Sequence, residues 1–151
     1  MSYWKSLSFI NRNTFCDGNT ACIQVDGETF FALHGNLIAK MDKNDHVYIK
    51  HNGNPNISTR NRIADIIRAL HYPFTVRFKH PDNTNGARII LTYKYPKDNM
   101  PPVKERRTHE INGLWTDLYE LKVDIEKNIQ TDTTNRNQLT NALANSLSVS
   151  S

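Results

Sequence analysis

Two dipeptides of the kind that close tight hairpins, Asp26-Gly27 and Gly35-Asn36, interrupt an alternating apolar stretch from residue 21 to residue 51. Both need residues that tolerate positive φ, so each joins two antiparallel strands through two residues. The expected strands are 21–25, 28–34, 37–42 and 46–51, with Lys43-Asn44-Asp45 as a slightly longer third turn. Taken at face value, the turns pair His34 with Leu37, Ala32 with Ala39 and Phe30 with Met41. The core face then carries Ile23, Val25, Phe30, Ala32, Leu37, Ala39, Met41, Val47 and Ile49. A meander buried on one side reads this way. Phe31, Leu33 and Ile38 on the other face call for partial cover.

A polar loop, Asn52 to Asn56, precedes a helix capped by Ser58 or Thr59 and running to about Leu70. Ile63, Ile66, Ile67 and Leu70 form an apolar stripe expected to pack on the meander. Tyr72-Pro73 ends that helix. Residues 74–80 and 88–95 alternate as a second hairpin. Phe74, Val76 and Phe78 share its apolar face with Ile89, Leu91, Tyr93 and Tyr95. Arg77, Lys79, Arg88 and Lys94 lie on the opposite face.

Those four cations belong to a wider charge asymmetry. Residues 60–107 hold eleven of the nineteen Lys and Arg and only four acids, whereas 1–59 are balanced and 108–151 are net negative. Such clustering concerns what a chain binds, not how it folds. Spaced cations can follow a phosphate backbone, and a two-stranded ribbon fits a major groove. Arg77, Lys79, Arg88 and Lys94 are therefore the candidate nucleic-acid or anion-binding residues. The competing explanation is a solvated sheet face that uses Lys and Arg as edge protection.

From about Glu110 to Gln130 a C-terminal amphipathic helix is expected. Ile111, Leu114, Leu118, Leu121 and Ile125, with Trp115 beside them, form a short heptad-like seam, and Leu114, Trp115, Leu118, Leu121 and Ile125 are the candidate oligomer interface. The Thr-, Asn- and Ser-rich remainder reads as a flexible tail, with Leu139, Leu143 and Leu147 as the trace of a weak helix. The organisation is thus α+β: an antiparallel β-meander with one packed helix, a second β-hairpin and a C-terminal amphipathic helix. The divisions fall at 1–107 for the core domain, 108–130 for the helix and 131–151 for the tail.

Catalytic signals are lacking. The six histidines are scattered, the paired acids flank turns, and no Gly-rich phosphate loop or nucleophile elbow is present. Cys16 and Cys22, separated by five intervening residues and with no second pair, suit reduced thiols better than a metal knuckle. No catalytic residue, metal ligand or cofactor is assigned. With no apolar run long enough to span a bilayer and no signal-peptide pattern, a cytoplasmic protein with no membrane partner is expected.

Gly35-Asn-Leu-Ile-Ala-Lys40, Val47-Tyr-Ile-Lys-His-Asn-Gly53 and Ser58-Thr-Arg-Asn-Arg-Ile63 together resemble a pattern in small proteins of tailed bacteriophages. There, a G-N-x-I-A strand leads to a V-x-I strand, a Gly- or Asn-rich loop and a T-T/S-R-x-R helix start. The resemblance covers roughly residues 28–70; Ser58-Thr59 replaces the double Thr of the pattern and Asn54-Pro55 an aromatic. It implies a phage accessory protein; with the basic surface of residues 60–107, the leading expectation is a non-enzymatic binding protein acting on a host process or defence component in the host cytoplasm. Its partner would be nucleic acid, a small anionic ligand or a host protein, bound by a homo-oligomer. The alternative is a virion or assembly protein whose C-terminal helix and tail make the oligomer contacts.

Overall fold

A computed structural model describes residues 3–149, without the side chains of 131–134 and 147–149. The fold is α+β, with one antiparallel meander sheet, a second smaller sheet and helices that include a C-terminal one. Two compact units are present, the first ending at Tyr119 and the second beginning at Glu120.

The first unit opens with a helix that the sequence reading passed over, α1 (Tyr3–Ile10). Six strands then make the larger sheet in the order β1-β2-β3-β4-β5-β9. They are β1 (Phe15–Asp17), β2 (Thr20–Val25), β3 (Glu28–Leu33), β4 (Asn36–Met41), β5 (Val47–Ile49) and β9 (Thr116–Asp117). Helix α2 (Ile57–Ala69) follows β5 and packs on α1, on β4 and on strand β6 (Phe74–Lys79). Strand β6 is the edge of the second sheet, β6-β7-β8, completed by β7 (Arg88–Tyr93) and β8 (Thr108–Ile111). Two short 3-10 turns, Lys97–Asn99 and Val103–Glu105, fill the Pro-rich link between β7 and β8.

The first hairpin has the expected register, with Val25 opposite Glu28 and Ile23 opposite Phe30. The second does not. His34 and Gly35 take the positive φ values, 52° and 79°, so the turn is His34-Gly35 and Leu33 pairs with Asn36. A bulge between Phe31 and Ala32 then sets Phe31 opposite Ala39 and Phe30 opposite Lys40. One extra residue in a strand reverses which side chains share a face. The core row is therefore Cys22–Phe31–Ala39–Ile49, continued by Thr29, Leu33, Met41 and Val47. Ala39, Met41, Val47 and Ile49 are buried as expected, but the expected faces of β2 and β3 are inverted. Ile23 and Val25 are 51% and 48% exposed, and Phe31 is fully buried. It lies edge-on to Phe9 of α1 at 5.6 Å and to Phe15 of β1 at 6.1 Å. The missed helix and the missed first strand supply the packing that selects this face.

Arg12, itself at φ 59°, joins the chain after α1 to two of the turns. Its guanidinium donates to Gly27 O at 3.3 Å, to Thr29 Oγ1 at 3.1 Å, to Asp42 O and to Asp45 Oδ1 at 2.8 Å.

Helix α2 starts one residue before the expected cap. Asn56, not Ser58 or Thr59, caps it, its Oδ1 accepting from Thr59 N at 2.9 Å and from Thr59 Oγ1 at 3.2 Å. Ile63, Ile66 and Ile67 are buried, as their spacing requires. The helix ends in a Schellman arrangement: Tyr72 N donates to Ile67 O and His71 N to Arg68 O.

The boundaries at 108 and 130 are corrected. Residues 108–111 are strand β8, and the third helix, α3, is Leu118–Val149. Asn112 and Gly113 form a turn, with Leu114 N donating to Asn112 Oδ1 at 2.8 Å. Asp117 Oδ1 accepts from Tyr119 N at 3.0 Å, which starts the helix there. The stretch read as a polar tail continues α3 to Val149, and residues 150–151 lie outside the described residues. Among the described residues no helix is long and apolar enough to cross a membrane.

Candidate anion-binding groove

Strand pairing puts Arg77, Lys79, Arg88 and Lys94 on one face of the second sheet. Lys79 is directly opposite Arg88 and Arg77 opposite Ile90, and Lys94 N donates to Pro73 O beyond the last pair. The third strand, absent from the expected ribbon, changes what this face offers. Glu110 of β8 pairs with Ile90, and its Oε1 lies 3.6 Å from Arg88 Nη1. The row across the sheet is thus Arg77–Ile90–Glu110, one cation, one apolar residue and one acid. The four cations share a face: Arg77, Lys79 and Arg88 adjoin, with Glu110 beside Arg88, and the Thr75–Thr92 pair separates Lys94 from them.

Lys94 instead joins a groove of about 610 Å³ between α2 and the free edge of β6. Its lining includes Arg60, Arg68 and His71 from the helix side and Lys94 and Thr75 from the sheet, with Ile67, Phe74 and Val76 buried beneath them. None of the lining residues is acidic. The cations differ in their commitments. Arg60 serves the fold: Nε and Nη2 donate to Val76 O at 3.0 and 2.7 Å, and Nη1 to Asn61 Oδ1 at 3.0 Å. This covers a carbonyl that an edge strand would otherwise leave open. Arg68 stands with its guanidinium 4.4 Å from the Tyr3 ring centroid. Stacking uses the face of a guanidinium and leaves its in-plane N–H donors outward. Lys94 and His71 are exposed. The carbonyls of Ile66, Ile67 and Arg68 are taken by Leu70, Tyr72 and His71 N–H groups. The negative end of α2 is thereby muted where an anion would sit.

The expected oligomer seam is not assembled as one helical stripe. Leu114 is in the turn before α3 and 76% exposed, whereas Leu118 is fully buried and Ile125 is 2% exposed. Leu121 is half-buried. Trp115 lies against the lysines of the larger sheet, its ring centroid 5.1 Å from Lys40 Nζ and 4.7 Å from Lys50 Nζ. Lys40 also stands 4.9 Å from the Tyr48 ring. Alternation along β4, β5 and β9 puts these side chains on the outer face, the face that also carries exposed Ile23 and Val25.

Polar pairs near the β4–β5 turn are tightly bonded. Asp42 accepts from Asn44 N, His46 N and Tyr48 Oη at 2.9, 3.0 and 2.9 Å. Partial burial works against its charge, but these bonds outweigh that and hold its pKa below the usual value. The bond to Asp42, then burial, pushes Tyr48 up to about 12. His46 Nδ1 is 2.9 Å from Asp117 Oδ2. Cys16 and Cys22 are free thiols; Cys16 is exposed, and burial pushes Cys22 up to about 11.

Of the groove residues, sequence reasoning found only Lys94. Arg60 and Arg68 were counted in the charge asymmetry but assigned to a helix, away from the ribbon. Their meeting with Lys94 depends on how α2 packs against β6, which no local pattern encodes. Comparison of the chain with protein-family models, with curated proteins and with solved structures finds no match.

Proposed function

We propose that this chain is a non-enzymatic binding protein whose ligand is an anion held in the groove between α2 and β6. The observation that carries the reading is the lining: three arginine or lysine side chains and a histidine converge with no carboxylate among them. Charge of one sign in a concave site concentrates counter-ions and draws an oppositely charged ligand. Arg68 and Lys94 supply the ligand contacts, and Arg60 holds the groove's shape. The test is calorimetric titration with inorganic pyrophosphate at low and high salt. Lys94→Glu and Arg68→Glu abolish binding, and Arg77→Glu changes it little. Equal losses in all three variants, or no binding by the parent protein, would count against the groove.

A second reading, assembly through the C-terminal helix, is favoured by Leu139 and Leu143, one turn apart on α3 and both exposed. It requires a second copy as partner. A mass from light scattering that stays monomeric at high concentration, or that Leu139→Asp with Leu143→Asp leaves unchanged, removes it.

A further inference from the structure

We infer that the groove is the anchoring end of a longer phosphate track, and that its ligand is a single nucleic-acid strand held by its backbone along β6. The inference rests on the anion-binding reading and adds the ligand's class and its path.

The path follows from alternation along one strand. Phe74 and Val76 of β6 are buried, whereas Thr75 and Arg77, which alternate with them, are exposed. Thr75 lines the groove together with Lys94 and Arg68, and Arg77 is the next residue on Thr75's face. Lys94 is level with Pro73, whose carbonyl its N–H reaches at 2.8 Å. Every second residue of a strand lies about 6.6 Å further along. Arg68 with Lys94, then Thr75, then Arg77, then Lys79 thus form one row. The stretch between Lys94 and Arg77 is not empty of charge. The Arg60 guanidinium is bonded to Val76 O, between Thr75 and Arg77. Acids approach the row only at its far end. Glu110 is 3.6 Å from Arg88. Asp82 of the hairpin loop is held below its usual pKa by Asn85 and Thr84 N–H groups, with the charges of Arg88 and Lys79 adding to them. The track is therefore strongest from Arg68 to Arg77 and fades at Lys79.

A spaced row of cations suits the repeating charge of a polymer, and pyrophosphate spans only its groove end. A sugar between phosphates gives a nucleic-acid strand a wide charge repeat. In inorganic polyphosphate neighbouring phosphates share an oxygen, and the repeat is much tighter than this row. β7 on one side and α2 on the other flank β6, so neither a helix nor an isolated ribbon stands out to enter a duplex groove. Phe74, Phe78 and Tyr93 belong to the opposite face of the sheet, which leaves the row phosphate contacts without base reading.

The experiment is a calorimetric titration of the full chain with oligothymidylates of two, four and eight nucleotides across a salt series, set against inorganic pyrophosphate, inorganic polyphosphate and an eight-base-pair duplex. The slope of log K against log salt should steepen with length to about −2, three phosphate contacts at about −0.7 each. Arg77→Ala should flatten the octamer's slope by about 0.7 and leave pyrophosphate binding as it was. Lys94→Ala weakens both ligands. Lys43→Ala, an exposed cation on the β4–β5 turn, changes neither. An octamer slope no steeper than the dinucleotide's, or one that Arg77→Ala leaves unchanged, overturns the track, and Lys94-dependent pyrophosphate binding then leaves the groove standing. An equal loss in Lys43→Ala marks diffuse attraction and also overturns the track. Tighter binding of polyphosphate or of the duplex than of the octamer overturns the ligand class. No binding of any anion overturns both this inference and the groove.

Discussion

Phe31→Ala and Ile23→Ser should differ sharply in cost, and the difference measures which face of the meander is the core. Phe31 is fully buried and touches the rings of Phe9 and Phe15. Truncating a buried Phe to Ala costs about 3–5 kcal/mol, the lost aromatic pairs included. Ile23 is half exposed at 51%, so it retains about half of the roughly 1.5–3 kcal/mol that full burial provides, and Ile23→Ser should cost about 1 kcal/mol. Urea unfolding followed by circular dichroism measures both on the same scale. The expected gap is about 2–4 kcal/mol, a large part of a domain's usual 5–15 kcal/mol. Equal costs, or a larger loss at Ile23, would restore the face expected from the turns alone and refute the bulge argument.

Three further outcomes follow from the same side-chain environments. Arg12→Ala strips the donors from the β2–β3 and β4–β5 turns, including the partner of buried Thr29, and should cost about 2 kcal/mol in urea unfolding; little of that belongs to exposed Asp45. A maleimide should label Cys16 quickly and Cys22 only on unfolding, because Cys22 is buried and its thiol is raised to about 11; mass spectrometry of the labelled peptides decides. Burial lowers the pKa of both His51 and His109 below 6.5. The unfolded chain then takes up protons before the folded one, so stability is full above about pH 6.5 and falls as pH drops below it. His109→Gln should flatten that slope in melting temperature against pH, and an unchanged slope counts against it.

The elements most legible in the sequence were those whose cause is local. The stripe Ile63, Ile66 and Ile67 specified α2, and alternation from Phe74 to Tyr93 specified the second hairpin with its faces correct. The meander's strands were legible too, but its buried face was not. His34 accepted the left-handed conformation that Asn36 was expected to take, and the bulge at Phe31 has no composition signal. Asn112-Gly113 falls inside the stretch expected to be helical, where it turns the chain from β8 toward β9. The leucine and isoleucine spacing from Ile111 to Leu118 fitted a heptad by coincidence: one residue is in a strand and one in a turn. Charge marked the region that holds the proposed groove but not its geometry. Arg60 and Arg68 are distant from Lys94 in sequence, and only the packing of α2 beside β6 brings them to one groove.

The most direct test of that groove is a nitrogen–proton correlation spectrum of the labelled chain during titration with inorganic pyrophosphate. The amides of residues 67–72 and 74–76 and of Lys94 should shift together with one dissociation constant. Shifts centred on Arg77, Lys79 and Arg88, or none at all, would contradict the groove as the anion site.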